Sequence, residues 1–151
     1  MLVNRRRSAF TLIEVLIVVI IMAVLAATII PQFSSSTTDA KNSSLKFNLH
    51  TVRSQIELYK ANHNGKYPTL ANFKKQMTEK TDVNGTQTGE LLYGPYIQGD
   101  IPANPFNGSN ALVAVATPGQ VPTGIVAGGA GWQYDESNGG FYPNNSEYYN
   151  Q

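Results

Sequence analysis

The chain has 151 residues, 11 Lys and Arg against 10 Asp and Glu, a net charge of +1, two histidines and no cysteine. That length suits one domain, and the near-zero charge excludes a strongly basic nucleic-acid binder. The missing thiols exclude disulfides, thiolate zinc sites and a cysteine nucleophile, and two histidines are too few for a histidine-rich metal centre.

The residues are unevenly distributed. Residues 1–9 contain Arg5, Arg6 and Arg7. Phe10 to Ile30 follows, with eighteen of its twenty-one residues apolar. At about 1.5 Å per residue, such a helix spans the ~30 Å of a bilayer core. The arginines before it place the N-terminus in the cytoplasm by the positive-inside rule. Hydropathy alone leaves several readings open. They are a cleaved signal peptide ending near Ala26 and Ala27, a plain membrane anchor, or a twin-arginine signal, though no suitable motif follows the arginines. Glu14 weighs against all three. A carboxylate deep in an apolar helix costs about 2.5 kcal/mol or more, and an intramembrane acid is by default a functional group with a partner. It lies one helical turn after Phe10. A cut before Phe10 would put a new ammonium at the same depth, and carboxylate and ammonium on neighbouring chains would then neutralise each other.

The stretch Arg5-Arg-Arg-Ser-Ala-Phe-Thr-Leu-Ile-Glu-Val-Leu-Ile-Val-Val19 resembles the start of type IV prepilins and of the pseudopilins of type II secretion. The resemblance implies a cut by prepilin peptidase between Ala9 and Phe10, N-methylation of Phe10, and a role for Glu14 in entry of the subunit into a filament. The family usually has Gly before the cut, where this chain has Ala9.

Beyond the apolar run, Pro31 and the Ser and Thr residues of 34–38 are weak helix formers, so a kink or loosening is expected there. Leu45, Leu49, Val52, Ile56 and Tyr59 are then spaced as one helical stripe, with Lys46, Arg53, Gln55 and Lys60 on the other face. The stripe lasts only two heptads, which predicts a seat for a globular domain rather than a coiled-coil seam. His50 and His63 read as solvated or capping residues. Asn64-Gly65-Lys66-Tyr67-Pro68 stops the helix. It also resembles a segment of the major pseudopilin, as do Gly94–Ile97 and Ile101–Pro105, which are expected to be extended. Thr69 is placed to cap a short helix bearing Leu70, Phe73 and Met77. Asn84-Gly85 marks a turn.

The region after Gly85 is rich in Gly and Pro, interleaved with aromatic and β-branched residues. That pattern predicts strands near Ala111–Ala116, Gly131–Tyr134 and Gly140–Tyr142, with an edge strand at Thr123–Val126 and a hairpin turn at Asn138-Gly139. The expected fold is α+β and pilin-like: a long N-terminal helix packed on a small antiparallel sheet. Its divisions are a leader (1–9), a transmembrane or filament-core helix (10–30), an amphipathic stem (31–64) and an extracytoplasmic globular region (65–151). Trp132, Tyr134 and Phe141 read as core. Every basic residue precedes Thr81, and the remainder is acidic, so opposite faces could set register between subunits.

No catalytic constellation is present. Gly128-Gly129-Ala130-Gly131 lacks the strand and helix of a phosphate loop, so the chain reads as no enzyme, with no cofactor. The resemblance implies one exception, since major pseudopilins hold calcium in loops near their final strands. The oxygen-rich turn Asp135, Glu136, Ser137, Asn138 is the candidate, with Asp135, Glu136 and Asn138 as ligands. The sequons at Asn42, Asn84, Asn107 and Asn144 read as chance. The resemblance further implies a homo-oligomeric helical filament, with prepilin peptidase, an inner-membrane assembly platform, minor pseudopilins and the membrane as partners, and no nucleic acid. It locates the chain in a bacterial inner membrane, crossing once, with the domain on the periplasmic side. Two other readings stay open. One is a type IV pilin of a surface fibre, disfavoured by the absence of the C-terminal cysteine pair. The other is a membrane-anchored extracytoplasmic binding module.

Overall fold

The structure is a computed structural model that describes residues 10–151, with side chains throughout except those of residues 30–35. The leader calls at Arg5, Arg6, Arg7 and Ala9 lie outside the described residues. Helix α1 (Leu12–Asn62) is followed by a 3-10 turn (Leu70–Asn72), a short helix α2 (Phe73–Thr78) and three strands, β1 (Leu112–Ala114), β2 (Trp132–Asp135) and β3 (Gly140–Pro143). The chain divides into two compact units, one ending at Ala40 and the other running from Lys41 to Gln151. Helix α1 is a single element through Pro31 and therefore does not end where the apolar run does.

In the second unit the helical stripe is buried as its spacing requires. Leu45, Leu49, Val52, Ile56 and Tyr59 meet Phe73 and Met77 of α2 and Trp132, Tyr134 and Phe141 of the sheet in one core. Each large apolar side chain so buried stabilises the fold by about 2 kcal/mol. Phe73 meets Tyr134 edge-on at 4.6 Å between ring centres, and Trp132 lies 4.9 Å from Phe141. The Trp132 indole N–H donates to the Pro102 carbonyl at 2.8 Å, and the Tyr134 hydroxyl to the Pro68 carbonyl at 2.8 Å. Burial raises the Tyr134 phenol well above its ordinary pKa. The extended segments around Pro68 and Pro102 are thereby fastened over the core.

Arg53 does not lie on a solvated face. It is half-buried, donating from Nε to the Phe141 carbonyl at 2.9 Å and from a terminal nitrogen to the Gln151 carbonyl. His63 is buried and completes the end of α1. The Tyr59 carbonyl can only accept, so Nδ1, 2.7 Å away, donates to it, while Nε2 lies 2.9 Å from the Thr81 hydroxyl. Its ring stacks on Tyr59 at 3.7 Å. Burial pushes the Tyr59 phenol up to about 12.

The sheet order is β1-β2-β3. β2 and β3 pair antiparallel, Trp132 opposite Pro143, as the hairpin signal predicts. The expectation of a wholly antiparallel sheet needs correction, because β1 pairs with β2 in parallel, Leu112 opposite Trp132. The physical reason is the long connection at 115–131, which carries the chain back to start in the same direction; only a short turn forces reversal. Thr123–Val126 forms no strand, because its backbone groups meet side chains of other segments instead of a neighbouring ladder. The β2–β3 turn depends on Gly139. It sits at φ +75°, and a Cβ there would lie 2.3 Å from the Tyr67 ring.

Candidate functional site

The first candidate site is the start of α1. Its apolar residues lie bare, with Phe10 83% exposed and Leu12 85%. The span Leu12–Ile29 is long and apolar enough to cross a membrane, and none of it is covered. A soluble monomer does not sustain such a surface, so lipid or other chains must cover it. Thr28 does not spoil it, because its hydroxyl donates to the Leu25 carbonyl at 2.9 Å within the helix.

Glu14 sits one turn into this helix. Its Oε2 accepts the Thr11 backbone N–H at 2.8 Å and the Thr11 hydroxyl at 2.8 Å, and the Thr11 hydroxyl oxygen accepts the Glu14 N–H at 3.3 Å. This is a reciprocal capping box, Thr at the cap and Glu three residues on. The spacing Thr-x-x-Glu carries that signal in the sequence. The geometry holds the carboxylate beside the helix start, next to Phe10, with both bonds made through one oxygen.

The second candidate is the turn after β2. Asp135 Oδ1 accepts the Ser137 N–H at 3.0 Å and its hydroxyl at 2.6 Å, while Oδ2 accepts the Gly119 N–H at 2.5 Å. Burial acts to raise the Asp135 pKa, but these donors hold it below the usual carboxylate value. Glu136 Oε2 accepts the Leu70 N–H at 2.7 Å. That bond caps the turn at Leu70–Asn72, where Thr69 was expected to do so; the Thr69 side chain makes no cap bond. Asn138 Oδ1 accepts the Gly140 N–H at 2.8 Å.

The three residues therefore point their oxygens at N–H donors on three different segments. Among the described residues, no three of His, Cys, Asp and Glu are grouped to hold a metal ion. Gln133 adds a buried Oε1 with no donor among the described residues, but a neutral oxygen beside a loop free of Asp and Glu is a poor start for a cation that takes six to eight oxygens. The donor set does not fit the calcium ion that the resemblance implies.

Two further carboxylates in the domain are also held below the usual range. Backbone and hydroxyl donors of Thr86 do this for Asp82, and the Lys74 ammonium, 2.7 Å away, does it for Asp100. With Asp135 they stabilise the fold fully above the unfolded aspartate pKa of about 3.9 and lose that effect as pH falls through their lower folded values. The melting temperature of the domain is accordingly expected to fall as pH drops from about 4 towards 2, followed by near-UV circular dichroism. Removing one contributor, with Asp82→Asn, should flatten that fall.

Residues 4–30 match the prokaryotic N-terminal methylation motif. Beyond it the chain is similar to type II secretion system core protein G. It is 29% identical to that of Pseudomonas aeruginosa over 116 residues, 77% of this chain and 80% of the other. With that of Dickeya chrysanthemi it shares 28% over 123 residues, 78% and 75% of the two chains. With that of Klebsiella michiganensis it shares 29% over 122 residues, 78% and 82%. No solved structure gives a significant match. An apolar N-terminal helix with a capped acid, leading into an α+β domain, accompanies this motif, and in these features the chain resembles the type IV pilin-like proteins. Within that class its similarity runs to the pseudopilins, over about three quarters of its length.

Proposed function

We propose that the chain is a structural subunit of a type II secretion pseudopilus, a part of a machine rather than an enzyme. Prepilin peptidase cuts between Ala9 and Phe10 and methylates Phe10. Arg5, Arg6 and Arg7 keep the leader in the cytoplasm, the helix from Phe10 crosses the inner membrane once, and the domain lies on the periplasmic side. Copies then pass from lipid into a helical filament, built with minor pseudopilins on an inner-membrane assembly platform. The observation that carries this reading is the bare apolar helix with an acid fixed at its first turn, within the matched motif.

The step from lipid to filament follows from electrostatics. The ammonium of Phe10 on one chain and Glu14 on the next are each costly alone in hydrocarbon, and they attract each other more strongly there than in water. Apolar surroundings thus reward neighbours that enter at one axial stagger. Mass spectrometry of the mature protein is expected to find N-methyl-phenylalanine at Phe10. A mature chain beginning after Ala27 would mean an ordinary secretory signal and would overturn the reading.

A further inference from the structure

The connection between β1 and β2 has a composition that resists order. Residues 115–131 include Gly119, Gly124, Gly128, Gly129 and Gly131, two prolines, and no acid or base. Glycine loses more backbone freedom on folding than any other residue. Yet this segment lies against one face of β2. All four β2 residues are buried. Strand alternation sends Trp132 and Tyr134 to the core and Gln133 and Asp135 to the other side.

On that side, carboxamides grip the loop backbone. Gln133 Nε2 donates to the Gly124 carbonyl at 2.9 Å. Asn144 Nδ2 donates to the carbonyls of Val126 at 2.8 Å and Ala130 at 3.0 Å, and its Oδ1 accepts the Val126 N–H at 2.8 Å. Asn107 Nδ2 reaches the Ala130 carbonyl at 3.1 Å, and Asn104 Nδ2 the Gly131 carbonyl at 2.8 Å. Asn144 reproduces both halves of a backbone pairing at Val126. A cation attracts carbonyl oxygens, and so do these amide N–H groups. They carry no charge and have no ion to lose.

We propose that this carboxamide clamp, centred on Asn144, orders the β1–β2 loop in place of a metal ion, so that the loop and the domain are indifferent to calcium. The clamp belongs to the domain alone and stands whatever filament the chain enters. Its logic follows from the misfit at Asp135, Glu136 and Asn138. Their oxygens already accept N–H groups of the chain, and the loop they adjoin offers no charged ligand.

The test is thermal melting of the full chain in detergent micelles, in EGTA and in millimolar calcium. The wild-type melting temperature is expected to agree between the two within about 1 °C, with no ligand stabilisation. Asn144→Ala should melt roughly 10 °C lower in both, with faster proteolysis in residues 115–131. A saturable rise of the wild-type melting temperature with calcium overturns the proposal, as does a wild-type melting temperature for Asn144→Ala. Should Asn144→Ala fail to fold, hydrogen exchange of wild type decides. Equal protection of the Val126 N–H with and without calcium supports the clamp, and open-chain exchange in EGTA overturns it.

Discussion

Glu14→Gln is expected to insert, mature and fold normally, yet to reduce filament assembly at least tenfold. Capping and charge are separable at this residue. Gln at the third helical position serves a capping box as Glu does, so its side-chain oxygen still accepts from Thr11. What is lost is the negative charge. Glu14→Ala removes both, adding the loss of the capping-box contact at the helix start. The two variants should therefore assemble almost equally poorly, because the charge matters more than the cap. Pelleting of sheared filaments measures assembly, and carbonate extraction of membranes measures insertion. Wild-type filament yield from Glu14→Gln would leave Glu14 as a helix cap alone.

Trp132→Ala carries the largest expected cost within the domain. Trp132 is 0% exposed, touches Phe141 and anchors the extended segment at Pro102 through its indole N–H. Truncation opens a large cavity and leaves the Pro102 carbonyl without its donor, a loss of about 4 kcal/mol. Against a typical stability of 5–15 kcal/mol, the melting temperature should fall by about 15 °C or more. Trp132→Phe keeps an aromatic ring, though a smaller one, and loses the donor, and should recover roughly half. A Trp132→Ala variant that melts within about 5 °C of wild type would mean that the sheet is not the floor of this core.

The parts legible in the sequence were those with a period or a local signal. The spacing of Leu45, Leu49, Val52, Ile56 and Tyr59 marks a helix face, and every one of them is buried. Asn138-Gly139 marks a reversal between two aromatic strands, and a reversal stands there. The parts that were not legible depend on partners far along the chain. Asp135, Glu136 and Asn138 look like ligands because oxygen-rich turns attract cations and N–H groups alike; only the fold brings Gly119 and Leu70, 16 and 66 residues away, to those carboxylates. Arg53 sits at a helical position that faces water by pattern, but its acceptor at Phe141 is 88 residues distant. The parallel pairing of β1 is illegible for a related reason, since a long flexible connection does not announce its direction of return. Thr11 and Glu14 are the opposite case. Their capping spacing was in plain view, but the depth of Glu14 in an apolar run drew attention to a partner on another chain first.

The bond from Glu136 to Leu70 also bears on time. Helix α2 has six residues, too few to persist alone in water. The turn that precedes it is completed by a carboxylate from the β2–β3 hairpin, and the β1–β2 loop waits for Asn144 just beyond that hairpin. The apolar start of α1, none of it covered, needs no such late arrivals. On the proposed topology the chain threads across the membrane with its stem first, and the apolar start of α1 settles in lipid while everything after Gly65 is still open polypeptide. The outer domain then closes in one late step, when residues 132–144 emerge. Until that moment each new subunit is fastened to the membrane, unfolded outside it, and unable to present a finished surface to a filament.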